Sequence, residues 1–222
     1  MSIEKQGKGH YSGAMNQELR QQQERRKPDE YFGGSRRYVE AKTGLTVVNV
    51  HAGDCFVSDN PNDIAATILG SCIAACIHDP IAKIGGMNHF LLPGSERQDS
   101  DSARFGAFAM EQLINEIMKR GGVKARMEAK LFGGGNVIKS SALIGDKNAH
   151  FATEYLRKEG IKIAGQDIGD VWPRKVRYSP ANGKAMMRKL KRDDDFANVQ
   201  IEEEGYRKQI QAPAMGNDVD LF

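Results

Sequence analysis

The sequence predicts a single α/β domain with mixed β-sheets, spanning residues 43–192 of the 222-residue chain. Along this range, β-branched apolar runs alternate with amphipathic segments of helical period, which is the pattern of an α/β domain. Several predicted strands also follow one another directly, and such neighbours pair antiparallel because a parallel connection needs a long crossover. Apolar residues make up 40% and charged residues 27% of the chain, so the domain can bury an ordinary core.

The first half of the domain consists mainly of predicted strands. Residues 45–50 (LTVVNV) alternate and are rich in Val, which predicts a strand. Residues 64–79 (IAATILGSCIAACIHD) predict extended structure that is broken by a tight bend at the Gly-Ser pair. Residues 83–92 (KIGGMNHFLL) predict a further strand, with a β-bulge or a close backbone approach at its two glycines.

The second half of the domain contains the two predicted helices. Residues 102–122 place aromatic and aliphatic side chains at helical spacing and end at a glycine pair. Residues 146–160 predict a second helix, with Asp146 as N-cap and Gly160 just after its end. Three further strands complete the pattern, at residues 127–135, which lead into a glycine turn, 161–169 and 174–180.

The two ends of the chain differ from the domain in composition. Residues 1–42 are rich in Gln, Glu, Arg and Gly with almost no branched aliphatic side chains, which predicts a flexible polar arm. Residues 193–222 carry two Lys or Arg against eight Asp or Glu, which predicts a flexible acidic tail. The domain has 21 basic against 15 acidic residues and no basic-aromatic module, so no nucleic-acid partner is expected.

The composition also predicts a cytoplasmic protein. The first residues contain no apolar run of the kind found in secretory signals. No stretch approaches the roughly 20 apolar residues that cross a bilayer, so membrane insertion is not expected. The cysteines are Cys55, Cys72 and Cys76, and an odd number in a chain of this size indicates reduced thiols.

Cys72 and His89 form the candidate catalytic pair. Cys72 follows a Gly-Ser bend, which can leave successive backbone N–H groups unpaired beside a nucleophile. A cysteine needs a base, because only a few per cent of a free thiol is ionised at neutral pH. If residues 72–79 and 82–89 form a hairpin with an even-numbered loop, Cys72 lies directly opposite His89, with Cβ atoms ~4.5–5.5 Å apart. An odd loop would put them on opposite faces unless a bulge restored the register.

Other interpretations of these residues stay open. A cysteine in an apolar run is often a small core residue, and Cys76 is expected to be one. Cys72, Cys76, His78 and His89 also supply four potential zinc ligands, although their spacing lacks the compact pairs of structural zinc sites. The run Gly133–Gly135 is followed by no Gly-Lys-Ser or Gly-Lys-Thr and belongs to no GxGxxG pattern, so it predicts a turn rather than a phosphate loop.

The segments ATILGSCIAACIHD and KIGGMNHFLLPG closely resemble the chemoreceptor glutamine deamidase family, CheD. The resemblance continues through KLFGGGNVI, IGDKNAHFATEYL and IKIAGQDIGD to VRYSPANG, and therefore covers the whole predicted domain. It implies mixed β-sheets packed as a sandwich with outer helices, a fold related to the cysteine deamidase toxins.

The resemblance also implies a Cys–His–Thr site. Cys72 matches the nucleophile and His89 the base, and Thr67 matches the threonine shortly before GSC. Some relatives carry that threonine one residue earlier, where this chain has Ala66. Ser71 and Asn88 flank the site without an assigned role, and backbone N–H groups near residues 71 and 72 are expected to hold the oxyanion.

The implied activity is the hydrolysis of glutamine side chains in methyl-accepting chemotaxis receptors. The reaction passes through a cysteine thioester, releases ammonia and needs no metal or organic cofactor. In some bacteria the family binds CheC, a phosphatase of the chemotaxis response regulator. A non-catalytic adaptor that binds such a phosphatase or a receptor is therefore the alternative function.

Overall fold

The structure, a computed structural model, describes residues 37–92, 99–137 and 144–191, together with residues 199, 201, 203–208 and 210. The described residues 199, 201, 203–208 and 210 are helical and are here called the C-terminal segment. The other elements are β1 (Arg37–Val39), β2 (Thr46–Asn49), β3 (Cys55–Ser58), β4 (Asp63–Leu69), β5 (Ile73–Asp79), β6 (Ile84–Phe90), α1 (Asp99–Lys119), a 3-10 helix (Lys124–Arg126), β7 (Glu128–Gly133), α2 (Ile144–Lys158), β8 (Lys162–Ile168), β9 (Arg174–Ser179) and β10 (Lys184–Lys189).

The strands form two five-stranded sheets, and both sheets are mixed. The outer sheet has the order β1-β2-β4-β9-β10, and only β2 and β4 run parallel in it. The central sheet has the order β3-β6-β5-β7-β8, with β7 and β8 as its parallel pair. The chain crosses from the outer to the central sheet between β4 and β5, at residues 70–72.

The central sheet is covered on both faces. Helices α1 and α2 pack on one face, over a core that includes Ile73, Leu113 and Leu131. The outer sheet covers the other face, where the Tyr178 hydroxyl donates a 3.1 Å hydrogen bond to the carbonyl of Ile77. Burial on both sides explains why β5 and β6 are almost continuously apolar rather than alternating. The predicted α/β sandwich of mixed sheets with outer helices is confirmed.

The two glycines of β6 mark a close approach and not a β-bulge. The pairing of β5 with β6 is continuous from Ile73 to Asp79. A Cβ atom on Gly85 would lie 2.6 Å from the carbonyl oxygens of Ile77 and Pro180, so a larger residue does not fit between the sheets. The sequence also left β1, β3 and β10 unassigned, because each is short or lacks an apolar face.

Both ends of the predicted domain extend further than the composition indicates. Strand β1 falls within the polar arm predicted at 1–42, where it pairs with β2; residues 1–36 lie outside the described part of the chain. Within the acidic tail predicted at 193–222, the described residues are helical, and Val199 and Glu203 are buried. None of the described helices is long and apolar enough to cross a membrane.

Candidate active site

The crossover at residues 70–72 is held by hydrogen bonds to all three of its carbonyl oxygens. The N–H groups of Gly135 and Gly134 donate to Gly70 and Cys72, each at 2.7 Å. The side-chain amide of Asn148 on α2 donates to the carbonyl of Ser71, also at 2.7 Å. Because the carbonyl of one residue and the N–H of the next point opposite ways in a planar peptide, fixing Ser71 also aims the N–H of Cys72.

The glycine run after β7 makes this arrangement possible. Gly133 has φ = 108°, in the left-handed region, and a Cβ atom there would collide with the carbonyl oxygen of Cys72. The run is a turn, and its N–H groups clamp the crossover that carries Cys72.

Two backbone N–H groups of the crossover converge on a single oxygen atom. Gly70 and Cys72 donate to Oε1 of Glu203 at 3.1 and 2.9 Å, and the Ser71 hydroxyl donates to Oε2 at 2.7 Å. Two fixed donors on one oxygen form an oxyanion hole in the geometric sense. The donors are Gly70 and Cys72, whereas the sequence pointed to residues 71 and 72; Ser71 contributes its side chain instead.

The pairing of β5 with β6 differs from the expected register, although it keeps His89 and the position of Cys72 on the same face of the sheet. Ala74 is the residue opposite His89, so Cys72 lies two residues before the paired position. The loop between the two strands has four residues, an even number, and the pairing is shifted by two positions from the expected one. Because side chains alternate between the two faces of a sheet, a shift of two leaves both residues on the same face. When this register is continued one residue before Ile73, Cys72 falls diagonal to His89 rather than directly opposite it.

Thr67 joins the site from the outer sheet. Its hydroxyl donates to the carbonyl of Val50 at 2.7 Å, and its oxygen lies 2.9 Å from Nδ1 of His89. The carbonyl oxygen of Val50 also lies 3.2 Å from the same ring nitrogen, and a carbonyl can only accept. The threonine hydrogen is therefore already used, and Nδ1–H is the donor to both oxygens. This leaves Nε2 of neutral His89 with its lone pair.

The pKa shifts of Cys72 and His89 favour an uncharged thiol and an uncharged imidazole. Burial raises the pKa of the Cys72 thiol well above its usual range, and the adjacent Glu203 carboxylate raises it further. Burial lowers the pKa of His89, so its imidazole is neutral near pH 7. Nε2 of His89 is buried and has no hydrogen-bond partner within the described residues. After burial, Glu203 is therefore the largest influence on the pKa of the Cys72 thiol.

The remaining candidates have structural environments. Asn88 lies on the opposite face of β6 from His89, where its side chain bonds Ala75 and the carbonyl of Ala109 on α1. Cys76 is buried in the interior, as expected. Nδ1 of His78 lies 2.9 Å from the carbonyl of Pro180.

The zinc alternative has no support in this geometry. No group of three or more His, Cys, Asp or Glu side chains that could hold a metal ion occurs among residues 37–92, 99–137, 144–191 and the described C-terminal positions. The four residues named for that alternative have separate neighbours. His78 lies near the carbonyl of Pro180 and His89 near Thr67 and Val50, whereas Cys72 is next to the Glu203 carboxylate and Cys76 lies in the core.

Asn148 and Glu203 were not predicted as site residues. Asn148 is fully buried, and besides its bond to Ser71 it accepts a hydrogen bond from the N–H of Leu92 at 2.9 Å. The signal that the sequence offers for it is an asparagine at helical spacing with the apolar residues Ala152 and Leu156. Glu203 lies in a run of three glutamates in an acidic tail, and nothing in that run distinguishes it.

Comparison with known proteins gives one consistent family. The model described as CheD chemotactic sensory transduction matches residues 91–189. A probable chemoreceptor glutamine deamidase CheD of Rhodopseudomonas palustris is 46% identical, over 84% of this chain and 89% of that protein. A protein of the same name from Hahella chejuensis is 42% identical, over 86% and 92%. Among solved structures, the hypothetical protein YfiH of Bacillus licheniformis aligns with TM-score 0.35 and 17% identity, over 53% of this chain and 49% of that one.

Proposed function

This chain belongs to the CheD family, and on that basis we propose that it is a protein-glutamine deamidase acting on methyl-accepting chemoreceptors. Its relatives at 46% and 42% identity are named as probable chemoreceptor glutamine deamidases. The proposed nucleophile is Cys72, the proposed base is His89, and Thr67 is the proposed orienting residue.

One observation carries the proposal: a side-chain carboxylate occupies the oxyanion hole beside Cys72. The N–H groups of Gly70 and Cys72 donate to one oxygen of Glu203, and the Ser71 hydroxyl donates to the other. The planar carboxyl group of glutamate has nearly the shape of the glutamine amide. A pocket that accepts the first is therefore of the right size for the second.

The proposed mechanism is acyl transfer to sulfur. Nε2 of His89 takes the proton of the Cys72 thiol, and the sulfur attacks the amide carbon of the receptor glutamine. The oxygen of the tetrahedral intermediate lies between the N–H groups of Gly70 and Cys72, and losing one such donor typically costs about 3–4 kcal/mol of transition-state stabilisation. His89 then gives its proton to the departing ammonia. Water activated by the same ring hydrolyses the thioester, and glutamate remains.

Thr67 has an orienting role in this proposal. The Nδ1–H of His89 donates to the Thr67 oxygen and to the carbonyl of Val50, which favours the tautomer with a free Nε2. Only that tautomer can act as a base toward the thiol without first moving a proton across the ring.

The decisive experiment measures the mass of a receptor cytoplasmic fragment after incubation with the protein. Deamidation replaces an amide by a carboxyl group and adds about one dalton per glutamine. Cys72→Ala is expected to abolish the mass increase, whereas Cys76→Ala, at a buried thiol away from the oxyanion hole, is expected to retain it. A fragment that binds the wild-type protein but gains no mass would favour the adaptor function instead.

A further inference from the structure

The C-terminal segment lies against the proposed active site along one face. Val199 and Glu203 are 4% and 5% exposed, and Tyr206 is half-buried. These positions are spaced four and three residues apart, which places them on one side of a helix. Ile201 and Glu204 are exposed, so the segment has an inward and an outward face.

Glycines on the domain allow this close approach. A Cβ atom on Gly70 would lie 2.7 Å from a methyl group of Val199 and 2.9 Å from Oε1 of Glu203. A Cβ atom on Gly53 would lie 2.9 Å from the hydroxyl oxygen of Tyr206. The surface beside Cys72 therefore accepts a helix at short range, at two separate points.

The group that this helix inserts has the chemical structure of the reaction product. Glutamate is what remains after a glutamine side chain is deamidated. Glu203 makes three hydrogen bonds to the crossover, one from each of residues 70–72. A buried carboxylate needs several such donors, and here they are the ones proposed to act on the substrate.

We propose that the C-terminal segment is an intramolecular ligand of the active site, in which Glu203 occupies the position of the glutamate product and excludes the substrate. The inference rests on the proposed deamidase function. The segment must leave the surface before a receptor glutamine can enter. A helix that presents a glutamine with an apolar residue four positions before it and an aromatic residue three positions after it fits the same surface.

An intramolecular ligand acts on substrate binding rather than on the chemical step. The apparent substrate affinity falls by the fraction of molecules in which the site is open. Once the segment has left, the catalytic groups are unchanged. Disrupting the segment is therefore expected to lower KM and to leave kcat nearly constant.

The first test converts the ligand into a substrate with Glu203→Gln. If residue 203 occupies the substrate position, the Cys72 sulfur bonds to the introduced amide carbon, the carbon–nitrogen bond breaks, and ammonia leaves with a proton from His89. Water then hydrolyses the thioester, which restores glutamate at position 203 and regenerates the thiol. We expect the tryptic peptide 193–207 of this variant to have the wild-type mass, with fragment ions assigning glutamate to residue 203.

Two controls make this result specific. Glu204→Gln places a glutamine one residue further along the same helix, at an exposed position, and it is expected to persist. Glu203→Gln combined with Cys72→Ala is also expected to retain its glutamine. If the glutamine of Glu203→Gln persists in protein that deamidates a receptor fragment, the proposal is overturned while the deamidase function stays intact.

The second test does not depend on turnover. Glu203→Ala removes the carboxylate that is bonded to the Cys72 N–H and that raises the pKa of the thiol, and we expect iodoacetamide to alkylate Cys72 several-fold faster. Glu204→Ala is the matched control and should not change the rate. Equal alkylation rates in these two variants would overturn the proposal even if no receptor fragment is ever deamidated. On a receptor fragment that is deamidated, a KM for Glu203→Ala equal to that of Glu204→Ala would also contradict it.

Discussion

Thr67 and His89 belong to different sheets, yet the hydroxyl oxygen of Thr67 lies 2.9 Å from Nδ1 of His89. Alternation along β4 directs Thr67 toward the central sheet together with Ala65 and Leu69, which are fully buried. Ala66, the position at which some relatives carry the threonine, belongs instead to a small cluster with Val47 and Ile64. In this chain, position 67 is therefore the one that reaches the imidazole.

Replacing Thr67 by Val is expected to reduce turnover about tenfold or more, as expected for the loss of a group that orients a catalytic histidine. Valine keeps the shape but leaves Nδ1–H with only the 3.2 Å contact to Val50. Thr67→Ser keeps the hydroxyl and should retain most of the activity. Steady-state kinetics on a receptor fragment measure both variants, and equal activity of the two would show that the hydroxyl has no role.

Asn148→Ala is expected to lower kcat about 10- to 100-fold with little change in KM, because the peptide that carries the Cys72 N–H loses its anchor. A buried amide also contributes to folding, so the free energy of unfolding must be measured beside the kinetics. Thr153→Ala on the same helix, which removes only a bond to Ala149, is the control. A kcat unchanged in Asn148→Ala would mean that Gly134 and Gly135 hold the crossover alone.

Gly133→Ala is expected to destabilise the domain by several kcal/mol more than Gly121→Ala. Both glycines have similar positive φ, 108° and 99°, so the backbone strain of about 1–2 kcal/mol is shared. Only the Cβ at position 133 meets an obstacle, the carbonyl of Cys72; nothing lies within 4 Å at position 121. Denaturant unfolding of the two variants measures the difference, and equal losses would refute the proposed clash.

The stability of the protein should fall as the pH drops below about 6.5. Burial lowers the pKa of His89, so between its ordinary value and its lower folded value the unfolded chain binds a proton that the folded chain does not. The slope contributed by one such group reaches about 1.4 kcal/mol per pH unit. Unfolding free energies measured between pH 7.5 and 5.5 should depend less on pH in His89→Gln than in the exposed-site control His150→Gln.

The strand–bend–hairpin order around Cys72 could be predicted from the sequence, but its register could not. The loop has the expected even length, but its centre lies one residue later in the sequence, which shifts the strand pairing by two positions. The carboxylate of Asp79 stabilises this loop by accepting hydrogen bonds from the N–H groups of Ile81 and Ala82. Lys83 completes the loop with φ = 54°. A lysine in the left-handed region is not a position that residue preferences assign to a turn.

Asn148 and Glu203 could not be predicted as site residues, for two different physical reasons. Asn148 lies 77 residues after Ser71, whose carbonyl it contacts, and no local sequence pattern indicates such a distant pairing. Glu203 lies in a segment with runs of like charge, and such runs predict a flexible tail because the charges repel one another. That prediction considers only this repulsion. It omits the three donors of the crossover, which compensate the burial of this carboxylate.

The residues proposed for catalysis are divided by the boundary between two layers. Cys72 ends the crossover into the central sheet, and His89 lies in that sheet. Thr67 lies in the outer sheet, and Val50 directly follows strand β2 of the same sheet. The separation of the layers therefore sets how firmly the imidazole is oriented. Conservative changes in the packed interior, such as Val176→Ile beside Thr67, would alter reactivity at a distance without altering any group that contacts a substrate. The interior of this sandwich is thus a means of adjusting rate, independent of the surface that selects the substrate.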